Sequence, residues 1–93
     1  MSKVININNK NYELIKNYRD AFNEEEFMER CTEYFYDYDY IVGDLAYGKL
    51  RLKGFYDNSN KKVKKINNYK FVDKYLSDNC AVDCRHFILK KGE

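Results

Sequence analysis

Cys80, Cys84 and His86 are the side chains whose types and spacing come closest to metal or nucleophile chemistry, with Cys31 the remaining cysteine. The spacing Cys80-x-x-x-Cys84 is within the range of one half of a tetrahedral zinc site, but such a site needs four N/S donors and usually a second close pair. None exists here: Cys31 would have to reach in from a distant helix. Cys84 and His86 also pose a thiol–imidazole pair, since an adjacent imidazolium makes a cysteine reactive. Residues two apart on a strand point the same way without touching, and no orienting group or oxyanion loop accompanies them. A free cysteine is more often a small buried hydrophobe. The expectation is therefore no metal, no cofactor and no catalytic residue. An odd number of cysteines behind Met1-Ser2-Lys3-Val4-Ile5-Asn6, which lacks the long apolar segment of an export signal, predicts reduced thiols and a cytoplasmic setting.

Binding chemistry is better represented. Arg51, Lys53 and Phe55 alternate with leucines and so fall on one face of a strand, with Lys49 one position further back on the same face. Together with Tyr38, Tyr40, Asp44, Tyr47 and Tyr56 they form a basic and aromatic surface able to hold phosphates and stack bases. Lys53-Gly54-Phe55-Tyr56 partly echoes the strand on which RNA-recognition motifs stack bases. The competing account is an ordinary solvated sheet face with cross-strand aromatic pairs. Lys61, Lys62, Lys64 and Lys65 form a cationic run suited to phosphate contact, or equally to blocking edge-to-edge aggregation. Gly43, Gly48 and Gly54 match neither phosphate-loop pattern and fit turn and bulge geometry better. Asp44 caps a turn or meets a partner's cation.

The elements that must position these residues are short. Lys3–Ile7 and Tyr12–Tyr18 read as strands joined through an Asn-rich turn. Asn23 followed by Glu24, Glu25 and Glu26 is a helix start, with a capping side chain and carboxylates at the positive end of the dipole. Phe27, Met28, Cys31, Tyr34 and Phe35 then recur at helical spacing, predicting one buried stripe that ends near Tyr36. Tyr38–Asp44 and Gly48–Tyr56 predict a hairpin, with Leu50 and Leu52 on one face and Gly54, on that same face, marking a bulge or a close approach. Lys61–Ile66 is a loop or a basic edge strand. Phe71, Val72, Tyr75 and Leu76 predict a second helix ending near Asn79, and Arg85–Leu89 an interior strand.

The order ββαββαβ predicts a single domain over 1–93 with an α+β, two-layer fold, a mainly antiparallel sheet of about five strands and two helices. Residues 1–45 carry five Lys/Arg against ten Asp/Glu, and residues 46–93 carry twelve against five, for a net charge of +2. That asymmetry favours a polyanion or an acidic partner. No apolar run approaches the roughly 20 residues that span a bilayer, so no membrane partner is expected.

The block Tyr40-Ile41-Val42-Gly43-Asp44…Tyr47-Gly48…Leu50-Arg51-Leu52-Lys53-Gly54-Phe55 resembles the YutD-like family of small proteins from Gram-positive bacteria. Tyr12-Glu13-Leu14-Ile15, Asp20-Ala21-Phe22-Asn23-Glu24-Glu25 and Phe87-Ile88-Leu89-Lys90-Lys91 extend the resemblance to nearly the whole chain. It implies a cytoplasmic α+β domain and supplies no catalytic residue. The family pattern has an aromatic, often Trp, where this chain has Leu45. The functional expectation is a non-catalytic binding module for RNA or a ribonucleoprotein. The alternatives are a protein–protein adaptor docking through Glu25, Glu29 and Glu33 or through the aromatic hairpin, and a small structural zinc domain.

Overall fold

Asn9, at φ 67, turns β1 (Lys3–Ile7) back onto β2 (Lys10–Tyr18), and the two pair antiparallel. A computed structural model of the chain describes residues 3–7, 9–46, 48–79 and 84–92. The second hairpin joins β3 (Tyr40–Ala46) to β4 (Lys49–Phe55), with Gly48 at φ 77 in the turn, a conformation glycine adopts without a Cβ penalty. The last strand, β5 (His86–Lys91), inserts between the hairpins and pairs with β2 and β3. The five-stranded order is β1-β2-β5-β3-β4, antiparallel throughout, so the apolar last strand is interior as its composition predicts and β1 and β4 are the edges.

Helix α1 (Glu24–Arg30) starts where the sequence predicts, with Asn23 Oδ1 accepting from the Glu26 amide at 2.9 Å. It stops six residues early, at Arg30 rather than near Tyr36. Cys31 and Thr32 are extended, and a 3-10 turn, Glu33–Phe35, follows. The predicted stripe therefore breaks at Cys31: Phe27 and Cys31 are buried, Tyr34 faces solvent because the helical phase is lost, and Met28, still within α1, lies on its exposed side. Lys61–Ile66 is a loop rather than a strand, closing in a 3-10 turn, Lys65–Asn67. A further 3-10 turn, Tyr69–Phe71, runs into α2 (Val72–Asn79).

Strand parity sends Ile41, Leu50, Phe87 and Leu89 to one face, where Phe27, Ala21 and Cys31 cover them. Val42, Phe55 and Ile88 go to the other face, under Val72 and Leu76 of α2. Each helix covers one face. The ring of Phe87 fills the space a side chain on Gly43 would take, and the ring of Tyr38 does the same over Gly54. The close approach expected at Gly54 is thus an aromatic ring.

Tyr12 is fully buried, and its hydroxyl meets no partner among the described residues. Burial pushes its phenol up to about 12. A buried hydroxyl without a hydrogen bond destabilises, so Tyr12→Phe is expected to be neutral or stabilising by up to about 1 kcal/mol. Urea denaturation measures this; a clear loss of stability would mean that the hydroxyl has a partner.

Candidate functional site

Among the described residues, the outer side of β4 is an unpaired strand edge. Its directions follow from two bonds: Leu45 N–H donates to Arg85 O at 3.1 Å on the β5 side, and Tyr56 N–H donates to Asn67 O at 2.7 Å on the side away from β3. Alternation along an antiparallel ladder then turns the backbone groups of Lys49, Arg51, Lys53 and Phe55 inward to β3. Those of Leu50, Leu52 and Gly54 point outward. Tyr56 alone has its outward groups occupied, by Asn67 and by Tyr69 N–H at 2.9 Å, in a parallel bridge to Asn68.

A groove of about 410 Å³ runs beside this edge, floored by Arg51–Gly54. One wall is aromatic. Tyr38 packs on Tyr56 with centroids 4.7 Å apart and donates its hydroxyl to Tyr34 at 3.0 Å, and Tyr34 is 68% exposed. The other wall carries Ile66, 75% exposed, and Tyr75. Lys53 lies against this wall, its ammonium 5.3 Å from the Phe55 centroid and 5.7 Å from that of Tyr75.

Asp44 braces the strand pair from beneath. It is 1% exposed and is clamped by Arg51, with Nε–Oδ1 at 2.9 Å and Nη2–Oδ2 at 3.1 Å. Such a bidentate fork fixes geometry as well as charge. Asp44 is therefore an internal partner of Arg51, neither a turn cap nor a free ligand for a cation. A second carboxylate network ties the loop after β4 to the segment before β3. Asp37 accepts from Tyr56 at 2.6 Å and from Lys62 at 2.8 Å, while Asp39 accepts from the Asp57 amide and Asn60.

The other expected site residues are spread widely. Phe55 is 1% exposed and packs edge-on against Tyr75, and Tyr40 is stacked on Tyr69 with centroids 3.6 Å apart. The aromatic side chains expected to stack bases are thus covered by α2 and the turn before it, because Phe55 and Tyr40 lie on the face of the sheet that carries the second apolar cluster. Lys49 is exposed at the start of β4, and Lys61, Lys62, Lys64 and Lys65 are exposed on their loop, Lys62 being held by Asp37. Tyr47 and Cys80 lie outside the described residues. Cys31 is buried under α1, its thiol pushed up to about 11 by burial. By strand parity His86 lies on the opposite face, stacked on Tyr18, so Cys31 and His86 cannot share an ion. Cys84 is disulfide-bonded, which corrects the expectation of three reduced thiols. Sequence reasoning missed Tyr34, Ile66 and Tyr75 as groove walls. Tyr34 and Tyr75 fall within the predicted helical stripes and so read as buried, and nothing in the sequence singles out Ile66.

The arrangement is that of a small α+β domain on a five-stranded antiparallel sheet, covered on both faces and open along β4. The chain belongs to the YutD-like family, whose model, described as "Putative antitoxin YutD-like", matches residues 6–90. It is 43% identical over 88 residues to the protein of Bacillus subtilis (strain 168) named "Putative antitoxin YutD", covering 95% of this chain and 97% of that one. The solution NMR structure of B. subtilis yutD superposes with a TM-score of 0.82 at 42% identity, covering 98% of this chain and 83% of that chain.

The network at Asp37 has a pH signature. Lys62 and then Tyr56 hold the Asp37 carboxyl below its usual range. The Tyr56 phenol is pushed up to about 12, chiefly because it donates to Asp37. The raised phenol contributes stability that is full below about pH 10 and lost as pH rises through about 12, whereas the depressed carboxyl contributes above about pH 4 and is lost on acidification. Asp37→Ala is expected to bring the Tyr56 titration back toward 10, read by NMR of the tyrosine ring carbon. An unchanged titration would remove Asp37 as the cause.

Proposed function

We propose that this domain is a non-catalytic binding module whose partner is another protein. The observation that carries the reading is the pairing of exposed Tyr34 and Ile66 across the groove beside an unpaired strand edge. Large apolar groups concentrated at one surface groove mark contact sites more often than scattered ones do. The antitoxin name of the B. subtilis relative supports the same direction, since neutralising a partner requires a contact surface and no reaction chemistry. Of the two docking surfaces considered for an adaptor, the aromatic hairpin is favoured. Glu33 lies beyond the end of α1, so Glu25, Glu29 and Glu33 do not form one helical stripe.

A second reading, contact with RNA, rests on exposed Lys61, Lys64 and Lys65 in one loop. The two separate cleanly. Tagged protein recovered from its native cells is expected to elute in a stoichiometric complex with a protein, unchanged by nuclease. Dissociation by nuclease, with affinity falling steeply as salt rises and weakened by Lys61→Ala/Lys64→Ala/Lys65→Ala, would replace the protein partner with nucleic acid.

A further inference from the structure

We propose that the outer edge of β4 takes up an extended segment of the partner protein as a sixth strand, and that this segment alternates acidic with apolar residues. The inference rests on the reading of a protein partner and specifies how that partner is held. Strand addition needs a row of unpaired donors and acceptors, open space beside them, and side-chain positions that select the guest. All three occur here, most openly at Leu52, which is half-buried, whereas Leu50 and Gly54 are buried. Leu50, Leu52 and Gly54 direct their N–H and C=O groups outward, and among the described residues β4 pairs with β3 alone. The groove lies along this row. At its far end the chain itself uses the edge: Asn68 bridges Tyr56 in parallel and closes the slot. A guest therefore runs beside Lys49–Gly54, a length of about 20 Å at about 3.3 Å per residue.

Side-chain parity defines the guest's pattern. Residues facing Lys49, Arg51 and Lys53 meet three cations, of which Lys49 and Lys53 have no carboxylate partner among the described residues. Opposite charges directly across a strand pair stabilise it, so acidic residues fit there. On the other face the guest meets Leu52 and the Tyr38 ring, which suits apolar side chains. The same parity argues against a second copy of this chain. Two-fold antiparallel pairing of β4 with the outward groups bonded sets odd residues against odd, for example Arg51 against Lys53 of the other copy. Like charges directly opposite destabilise such a pair.

The test uses the full-length, isotope-labelled chain and a synthetic nine-residue peptide alternating Glu and Val. In the free protein the Leu52 and Gly54 amides should exchange with solvent faster than those of Arg51 and Lys53. Saturating peptide should slow both outward amides by about tenfold or more. Peptides with Lys in place of Glu, or with N-methyl groups on the residues facing β4, should not bind. Lys49→Glu/Lys53→Glu, which alters side chains outside the buried core, should weaken binding by about tenfold or more. No binding up to about 1 mM peptide, or binding that survives N-methylation and leaves the two amides unprotected, overturns the proposal. Amide exchange in the native complex distinguishes the two claims. A protein complex that leaves Leu52 and Gly54 exchanging freely overturns strand addition while the protein partner stands. Absence of any protein complex overturns both.

Discussion

The contact on which the α1 side of the molecule depends is the ring of Phe87 lying over Gly43. It sits between the two central strands and leaves no room for a side chain at position 43. Phe22 and Phe27 meet the same ring edge-on, with centroids 5.0 and 6.0 Å away, so the packing of α1 is referred to it. The device is repeated one strand outward, where Tyr38 lies over Gly54 and carries the aromatic wall to the rim of the sheet. A larger residue at either glycine would displace a ring, and with it the covering segment. The groove thus owes its shape to two absent side chains as much as to the residues that line it.

Covering both faces of a sheet leaves its edges as the places where backbone can meet another chain. The two edges here are not equivalent. Beside β4, side chains from both covering layers rise above the strand, Tyr34 from one and Ile66 from the other, and make a trough. The Asp44–Arg51 fork ties β3 to β4 through a buried carboxylate and a half-exposed guanidinium, which braces the strand that forms the floor. The links from Asp37 and Asp39 to Tyr56, Asp57, Asn60 and Lys62 hold the far end of the trough in the same way. A braced floor reduces the entropy lost when a guest chain docks.

Much of this was legible from local pattern. The alternation Leu50, Arg51, Leu52, Lys53 correctly separated the faces of β4, and Asn23 with its three glutamates located the start of α1. The covering of those faces was not legible. Phe55 reads as outward because parity assigns a face without saying what lies over it, and α2 buries it from a distance of some twenty residues in sequence. The end of α1 was misplaced because apolar spacing continues through Tyr34 and Phe35 after the backbone has become extended at Cys31 and Thr32. The trough walls come from two turns that meet only in the folded chain, which no single window of sequence contains.

Alternating cations along an edge strand also set how the molecule behaves in crowded solution. Repulsion between copies aligned along β4 acts over a screening length of about 8 Å at physiological ionic strength, shrinking to about 3 Å near 1 M salt. Apolar contact through Leu52 and its neighbours is not screened, and strongly hydrated salts reinforce it. The colloidal stability of this domain is therefore greatest in dilute salt, and concentrated sulfate or phosphate turns the β4 edge from a barrier into an adhesive surface.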